Sequence, residues 1–568
     1  MTKPDTKPKI AKPATKQSKA IRPLQQNAKK GDVSAMFELH QKYASGQDVD
    51  LDENKANDYF NQCLNYLNAT KQQNEFETPI NRVLLNKLKL IDFRKFSSLD
   101  VTFDPKLTVF IGNNGAGKTT IADAIAKTFS WINARIETKG RSSRPINEAD
   151  INIHSQHYAE VSTSISLGDT HYESSLARSI KGAESNKNSY LESLRNFSDI
   201  YRVVNDKQRQ QQQPEINIPL FAYYSVERSH TKSTQTFDIE KLKDIDPSSR
   251  FDALDSSALG GSGNFKQFLE WFITLDNLIN ASPQAQSETL KRDINALEAV
   301  VTSQQHALSS LLEEKKALYQ TIIDQQSTGQ QQRRIKLHST IKQSIIKTVP
   351  DVSQLFVDRT LGRAELKINI DDNEINVFQA SHGQQILISL IADITRRLVL
   401  LNPQLDNPTH GQGIVLIDEI ELHLHPKWQQ GIIQSLQRTF ANIQFIITTH
   451  SPQVLSTVDK HCIRRFETDE ADNDILTIPK FQTKGVTSAD ILAKIMDTDP
   501  KPVVDETSWL NQFYAHLQEG DKTAAEKLLT KLCKHFTSDD HTTDHPVIED
   551  CRNQIKIFEM KARMRQMD

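Results

Sequence analysis

The stretch that decides the fold of this chain is Gly112-Asn113-Asn114-Gly115-Ala116-Gly117-Lys118-Thr119. It follows an apolar run, Leu107–Ile111, and leads into a run of helical character, Ile121–Phe129. The pattern G-x-x-x-x-G-K-T between a strand and a helix predicts a phosphate-binding loop, because glycines let backbone N–H groups turn toward one point. The helix N-terminus adds partial positive charge at that point. We therefore expect Lys118 at the β- and γ-phosphates of a nucleotide and Thr119 at Mg²⁺.

Two further apolar runs end in residues that suit the same site. Gly413–Ile417 leads into Asp418 and Glu419, and Gln444–Thr449 leads into His450. Paired carboxylates at a buried strand end are costly unless they meet a cation. Asp418 is therefore expected to hold Mg²⁺, directly or through water, and Glu419 to polarise the attacking water. His450 is expected to sense the γ-phosphate, because α/β proteins bind ligands at the carboxyl ends of strands.

A fourth element precedes the paired carboxylates in the sequence. The residues Ala380-Ser381-His382-Gly383-Gln384-Gln385 stand before a helical run, Ile386–Leu400. Serine and glycine at the start of a helix predict a second anion site. The candidate ligands in this stretch are Ser381, Gly383 and Gln384.

The four elements together resemble the ATP-binding cassette superfamily. Residues 112–119 match its Walker A motif, 381–385 its signature, 414–419 its Walker B motif and His450 its switch histidine. The long gap between Walker A and the signature is similar to the SMC and RecF side of the superfamily rather than to transporters. The resemblance implies two heads bound head to tail, with each ATP held between the Walker A of one chain and Ser381 of the other. The further contacts that it implies for ATP are Asn113, Asn114, Gly115, Ala116, Gly117, Lys118, Thr119, Thr120, Gly383 and Gln384.

Several positions depart from the superfamily pattern or leave it open. His382 stands where the signature usually has Gly or Asp, which implies a weaker or pH-dependent sandwich and slow turnover. His423 and His425 suggest a metal site beside the Walker B acids, although the resemblance places them in the D-loop that contacts the opposite subunit. The candidates for the Q-loop residue are Glu148, Asp150 and Gln156.

The predicted fold class is α/β, a P-loop ATPase head extended by helical elements. These elements are an N-terminal helical repeat pair, a short antiparallel helical-hairpin insertion and a helical C-terminal tail. The predicted segments are a disordered basic tail (1–30), a Sel/TPR-like helical pair (31–80), the Walker A lobe (81–275), the insertion (276–350), the lobe with signature, Walker B and switch histidine (351–484) and a partner-binding helical region (485–568).

Two segments allow more than one interpretation, and the insertion has a predicted point of reversal. The helical pair serves either as a structural cap or as a partner site, because stacked repeats need neighbours to bury their faces. In the alternating stretch Arg82–Phe103, the side chains of Phe93, Arg94 and Phe96 either stack on adenine or form the core and rim of paired strands. In the insertion, the apolar spacing continues to Ile322, and 327–329 is the predicted reversal of the hairpin.

Composition limits the classes of protein to consider. The 568 residues carry a net charge of −3, so contact with nucleic acid requires a local patch, such as the basic tail, or a partner. The four cysteines form no C-x-x-C pair and are expected as free thiols. The sequence has neither an apolar run of membrane-spanning length nor an apolar signal core, which predicts a cytoplasmic protein.

Within the superfamily, the combination of elements most resembles the PtuA family, the ATPase subunits of Septu anti-phage systems, especially those associated with retrons. The resemblance implies a homodimer or a dimer of dimers that carries the HNH nuclease PtuB. It also implies binding of a retron reverse transcriptase and its RNA–DNA hybrid. The sequence shows no nuclease site of its own. The alternatives are a RecF- or SMC-like repair ATPase that binds DNA directly and an ATP-locked scaffold without turnover.

Overall fold

The computed structural model of the chain describes twelve ranges of residues and divides into two compact units, Met1–Val486 and Thr487–Asp568. The first contains the P-loop and is called the head, and the second is called the C-terminal unit. The described ranges are 21–73, 76–137, 143–183, 186–229, 250–260, 265–280, 283–300, 311–319, 329–360, 364–370, 372–536 and 545–565.

The strands that the structure describes are, in chain order, β1 (Thr70–Gln73), β2 (Phe76–Pro79), β3 (Val83–Phe93), β4 (Phe96–Thr102), β5 (Leu107–Ile111), β6 (Tyr158–Leu167), β7 (Thr170–Ser179), β8 (Leu220–Tyr224), β9 (Val352–Asp358), β10 (Glu365–Ile370), β11 (Asn373–Asn376), β12 (Gly413–Ile417), β13 (Ile443–Thr448), β14 (Ile463–Thr468) and β15 (Asp474–Thr477).

The helices that the structure describes from end to end are α1 (Ile21–Lys29), α2 (Val33–Ser45), α3 (Glu53–Asn68), α4 (Lys118–Glu137), α5 (Glu192–Gln210), α6 (Phe265–Asn280), α7 (Pro283–Val300), α8 (Gly329–Thr348), α9 (His382–Leu401), α10 (Pro426–Gln429), α11 (Ile432–Thr439), α12 (Pro452–Leu455), α13 (Ser488–Lys494), α14 (Asp505–Glu519), α15 (Lys522–Phe536) and α16 (Pro546–Arg565). Residues 311–319 are also helical.

A six-stranded sheet forms the centre of the head, in the order β15-β14-β5-β13-β12-β8. The five strands from β14 to β8 are parallel, and β15 is an antiparallel edge. Every residue of β5, β8, β12 and β13 is buried, which explains why these strands are uninterrupted apolar runs in the sequence. The neighbours β5, β13 and β12 bring the ends of the three predicted motif strands to one edge of the sheet.

A second, antiparallel sheet has the order β4-β3-β6-β7. Its β3 and β4 are the paired strands that the alternating stretch 82–103 predicts. The rings of Phe93 and Phe96 are fully buried, so the hypothesis that they stack on adenine is wrong and they belong to the core. A smaller sheet, β11-β10-β9, stands before the signature helix α9 in the chain.

The N-terminal helical pair packs on the head. The Ser34 hydroxyl at the start of α2 donates to Tyr172 Oη at 2.8 Å, and Tyr66 Oη in α3 donates to Leu167 O at 3.1 Å. Lys207 of α5 lies 4.2 Å from the centre of the Phe60 ring. These contacts give the pair the role of a cap on the second sheet and α5.

The predicted disordered tail (1–30) is too long at its C-terminal end. Residues 21–29 form helix α1, because Ile21 and Ala28 are both buried and give the segment an apolar face to pack. Residues 1–20 lie outside the described part of the chain.

The predicted insertion (276–350) contains the end of α6, α7, residues 311–319 and α8, and two ion pairs join α7 to residues 311–319. The ammonium of Lys315 lies 2.5 Å from an Asp293 carboxylate oxygen, and that of Lys316 lies 2.6 Å from Glu298. One continuous helix would separate Asp293 and Lys315 by about 33 Å. Asp293 and Lys315 therefore do not lie on one continuous helix, and the reversal predicted at 327–329 stays a prediction. Most of 327–329 itself lies outside the described residues.

The C-terminal unit has a core of its own, formed by α14, α15 and α16. Its buried members are Phe513, Leu517, Ala525, Leu532, Ile548, Cys551 and Ile555. Among the described residues of the whole chain, we find no helix with both the length and the apolar character needed to span a membrane.

Candidate nucleotide-binding site

The predicted phosphate loop runs from the end of β5 to the start of α4. Gly115 and Gly117 adopt φ values of +79° and +102°, which side-chain-bearing residues rarely adopt. A Cβ atom on Gly117 would lie 2.2 Å from the Phe96 ring. The tip of the second sheet therefore packs directly against the loop, and this position requires glycine for both its backbone angle and its space.

Lys118 lies folded over this loop. Its Nζ donates to the carbonyl oxygens of Gly112 at 2.9 Å and Asn113 at 3.1 Å. Burial lowers the pKa of Lys118, whereas the nearby carboxylates of Asp418, Glu419 and Glu421 act in the opposite direction. The ammonium thus has neutral carbonyl partners that a nucleotide phosphate would replace with charged ones.

Thr119 and Asp418 are in direct contact although 299 residues separate them. Thr119 Oγ1 donates to Asp418 Oδ2 at 2.7 Å, and the Thr448 hydroxyl donates to the other carboxylate oxygen. Asp418 is 1% exposed, and its backbone N–H donates to Tyr224 O at 2.8 Å, so two hydroxyls fix the carboxylate and a third bond fixes the backbone. A threonine hydroxyl beside a fixed carboxylate is a donor set that suits Mg²⁺, which keeps water and phosphate oxygens as its other ligands.

Glu419 and His450 lie at the ends of β12 and β13 and face a common cavity. This cavity has a volume of about 310 Å³. Its lining residues are Arg94, Lys95, Asn114, Gly115, Gly117, Lys118, Thr119, Thr120, Glu419 and His450. The backbone N–H of Glu419 donates to the Thr448 hydroxyl at 2.8 Å, which ties the end of one strand to the end of the other.

Arg94 and Lys95 also line the cavity; the sequence left open whether Arg94 contacts adenine or belongs to the rim of the paired strands, and it gave Lys95 no role. The Arg94 guanidinium pairs with Asp123 of α4 and, at 2.9 Å, with Asp150, and Lys95 pairs with Asp474 at 3.1 Å. Arg94 has a φ of +53°, in the turn between β3 and β4. The available signal in the sequence was a basic residue in a tight turn before the P-loop strand. This signal becomes informative only once it is known that the turn packs on the loop.

Ser381, Gly383 and Gln384 lie in a different place, at the start of α9, and do not line this cavity. Ser381 is the N-cap of the helix: its Oγ accepts from Gln384 N at 3.3 Å, and Gln384 Oε1 accepts from Ser381 N at 3.0 Å. A Cβ atom on Gly383 would lie 2.4 Å from His423 O, and the ring centres of His382 and His423 are 4.7 Å apart. The signature start therefore packs on the segment that follows Walker B within the same chain.

The two residues proposed for a histidine metal site have other roles. His425 Nδ1 accepts from Lys427 N at 3.2 Å and caps α10, while His423 contacts His382. Among the described residues, no group of three or more His, Cys, Asp or Glu side chains is arranged to hold a metal ion. The structure thus does not support the histidine metal site.

The three Q-loop candidates lie outside the lining. Glu148 is exposed and pairs with Arg178 at 3.2 Å, and Gln156 is exposed. Asp150 is buried and pairs with Lys127 at 2.9 Å. Burial by itself would raise the pKa of this carboxyl, but hydrogen bonds from cationic side chains and from the backbone outweigh that effect and hold the pKa below its usual value. Asp150 reaches the cavity only through Arg94, to which it is also bonded.

Comparison with known proteins identifies the family. Residues 84–455 match the AAA ATPase domain model, AAA_15. The chain is 32% identical over 499 residues to the retron Vc95 probable ATPase of Vibrio cholerae serotype O1 biovar El Tor, covering 86% of this chain and 91% of the relative. It is 32% identical over 539 residues to the retron Ec83 probable ATPase of Escherichia coli, covering 92% and 95% of the two chains.

A shorter similarity links the chain to a second group. It is 35% identical over 101 residues to the Septu protein PtuA of Bacillus mycoides (strain KBAB4), covering 18% of this chain and 14% of that protein. The predicted α/β fold with a P-loop ATPase head is confirmed. The chain belongs to the AAA ATPase domain family, in which its relatives over most of its length are retron-associated probable ATPases.

Proposed function

We propose that this protein is the ATP-binding and ATP-hydrolysing subunit of a bacterial anti-phage defence complex of the retron and Septu type. The observation that carries the ATPase part is the bond between Thr119 Oγ1 and Asp418 Oδ2 beside a cavity that Lys118, Glu419 and His450 also line. The names of the retron-associated relatives and the shorter PtuA similarity support the defence part.

The residues of the site fit ATP with Mg²⁺. Thr119 and Asp418 would hold Mg²⁺, which supplies positive charge to the phosphate oxygens when bound. Lys118 would exchange its carbonyl partners for phosphate oxygens, and the N-terminus of α4 faces the same charge. The cavity residues Asn114, Gly115, Gly117 and Thr120 would surround the phosphates with Asn113 and Ala116 of the same loop.

Glu419 is the proposed general base. It would orient a water molecule and accept its proton as the oxygen attacks the γ-phosphorus, while the bond from that phosphorus to the oxygen of ADP breaks. His450 would contact the γ-phosphate from the neighbouring strand end. ADP and inorganic phosphate are the products.

We further propose that the site is completed by a second copy of the chain. The signature start does not line the cavity of its own chain, so Ser381, Gly383 and Gln384 can contact ATP only from a partner head. A serine at a helix N-terminus would add a hydroxyl and partial positive charge to the γ-phosphate. ATP would thus join two heads, as a homodimer or within a dimer of dimers.

The proposed partners are an HNH nuclease of the PtuB kind and, in retron form, a reverse transcriptase with its RNA–DNA hybrid. The C-terminal unit is the candidate nuclease dock. On α16 it carries exposed apolar side chains at Ile557, Met560 and Met564. Spacings of three and four residues place them on one face of the helix. Self-association through this face is the competing role.

The deciding experiment is affinity purification of the protein expressed with its neighbouring genes from their own locus. Mass spectrometry and nucleic-acid sequencing then identify what co-purifies. An HNH nuclease, with or without a reverse transcriptase and its RNA–DNA product, is the expected result. A homodimer alone that binds DNA ends only with ATP would instead favour a RecF-like repair ATPase.

A further inference from the structure

Glu421 has no role in the site as described so far, yet its carboxylate contacts the strand end that carries His450. Glu421 Oε2 accepts from the Thr449 hydroxyl at 2.8 Å, and Oε1 accepts from the backbone N–H of His450 at 2.5 Å. Both carboxylate oxygens are therefore used on two consecutive residues. Bonds that involve an ionised acceptor are shorter and about twice as strong as neutral ones.

The backbone of His450 needs such a partner. Strand β13 ends at Thr448, so the sheet supplies no acceptor to the N–H of His450 two residues later. His450 is partly buried, and a backbone N–H that is removed from water costs free energy unless it is paired. Thr449 is fully buried, which leaves the side chain of Glu421 as the group that meets both donors.

The segment around Glu421 is itself tightly fixed. Glu419 has a φ of +47° and His423 a φ of +63°, both in the left-handed region that non-glycine residues rarely adopt. The N–H of Ile420 donates to Thr448 O at 3.2 Å, and that of Glu419 donates to the Thr448 hydroxyl. Such backbone conformations persist only where the surroundings determine them.

We propose that Glu421 is a positioning residue that sets His450 relative to Glu419 across the nucleotide cavity. Bonds at Thr448 hold Glu419, and the Glu421 carboxylate holds Thr449 and His450, so the ends of β12 and β13 are tied over three consecutive residues. The inference rests on the proposed function, because it assumes that Glu419 and His450 act on the γ-phosphate. Glu421 itself does not line the cavity, and we propose no contact between Glu421 and ATP.

The test compares Glu421→Ala, Glu421→Gln, His450→Ala and the Glu421→Ala/His450→Ala double variant in the full-length chain. For Glu421→Ala, we expect kcat to fall about 100-fold, the scale on which a misplaced catalytic group costs rate. The Kd for ATP should stay within about threefold, because the phosphate loop is intact. Glu421→Gln keeps a carbonyl oxygen that can accept from His450 N–H, so its kcat should be at least about tenfold higher than that of Glu421→Ala.

The double variant separates positioning from a general structural role. If Glu421 acts through the imidazole of His450, its removal should change kcat by less than about twofold in the His450→Ala background. A control, Glu470→Ala, removes an exposed carboxylate from the turn between β14 and β15 and should keep wild-type turnover.

Two results would overturn the inference and leave the proposed function standing. The first is wild-type kcat in Glu421→Ala. The second is a loss of kcat on removal of Glu421 that is as large in the His450→Ala background as in the wild-type chain. Wild-type kcat in His450→Ala has a different meaning, because it would remove the assigned role of His450 from the proposed function as well. If Glu421→Ala fails to fold, the comparison rests on Glu421→Gln, with a loss of about threefold or more expected and wild-type turnover as the contradicting outcome.

Discussion

The cavity end of the head and the start of the signature helix are built in opposite ways. At the cavity, Lys118 from the loop after β5 and Glu419 and His450 from the ends of β12 and β13 face a common space. They meet because β5, β13 and β12 are neighbours in one parallel sheet, whose carboxyl ends lie at the same edge. At the signature, Ser381 and Gln384 bond to each other at the beginning of a single helix.

This difference indicates what each region can do within one chain. The cavity end has partners that a bound nucleotide would replace, such as the carbonyl oxygens at Lys118 Nζ. At the signature end, Ser381 and Gln384 already cap the helix through their own side chains. An anion carried to this helix start by another molecule would have to compete with Gln384 for the same groups. We therefore expect variants at the cavity to affect ATP binding or the chemical step, and variants at the signature to affect only steps that require two chains.

The largest effect is expected for Lys118→Ala, which removes the cation of the cavity end. Loss of one partner of a buried, hydrogen-bonded charge pair costs about 2–5 kcal/mol, so the affinity for ATP should fall at least about 30-fold. Isothermal titration calorimetry or a fluorescent ATP analogue measures the change. Unchanged affinity would show that the phosphates bind elsewhere.

Glu419→Gln should separate binding from chemistry at the same end. An amide cannot accept the proton of the attacking water, and a general base contributes about 10²–10⁴-fold to rate, so turnover should fall on that scale. ATP should remain bound and hold two heads together. Light scattering coupled to size exclusion, with and without ATP, measures the association. If the variant with ATP associates no more than wild type, Glu419 is not the base.

Ser381→Arg tests the opposite side of the comparison. A long cationic side chain at the helix start should block engagement of two heads and lower ATPase activity at least about tenfold. ATP binding by a single chain should change by less than about threefold, because Ser381 does not line the cavity. The paired measurement is ATP affinity and turnover on the same preparation. Normal hydrolysis by this variant would contradict a site shared between two heads.

The sequence allowed these motif residues to be predicted because each lies in a short contiguous pattern at a strand end. Thr119 and Asp418, in particular, are joined by a hydrogen bond that the two motifs together imply. Their catalytic roles remain predictions. The parallel pairing of these strands agrees with their sequences, since apolar runs without alternation are typical of parallel strands that are covered on both faces.

Other features were beyond sequence patterns because they depend on contacts between distant segments. Arg94 lines the cavity only because Phe96 packs on Gly117, which brings the β3–β4 turn to the loop. The apolar spacing of the insertion continues to Ile322 and gave no sign that Asp293 and Lys315 are ion-paired, a contact that one continuous helix would prevent. Glu421 was also missed, because a single acid after Walker B carries no spacing signal until its two partners are known.

The smallest effect is expected where the two regions touch, and it is measured by a pair of variants at adjacent positions. Gly383→Ala places a methyl group 2.4 Å from His423 O, a backbone atom that cannot move aside alone. Overpacking of this kind costs about 1–3 kcal/mol of unfolding free energy, although alanine is otherwise the better helix former by about 1 kcal/mol. His382→Ala removes a ring contact of about 0.5–1.5 kcal/mol and creates no clash.

Denaturant titration of both variants and steady-state ATPase assays test whether the contact transmits anything between the regions. If the helix start is displaced in Gly383→Ala, turnover should fall severalfold more than in His382→Ala, because Ser381 moves with the helix that it caps. Equal turnover in the two variants, with Gly383→Ala the less stable, would mean that the contact is structural only. In that case the signature start and the cavity end would be independent within one chain, and any coupling between them would have to pass through the second head.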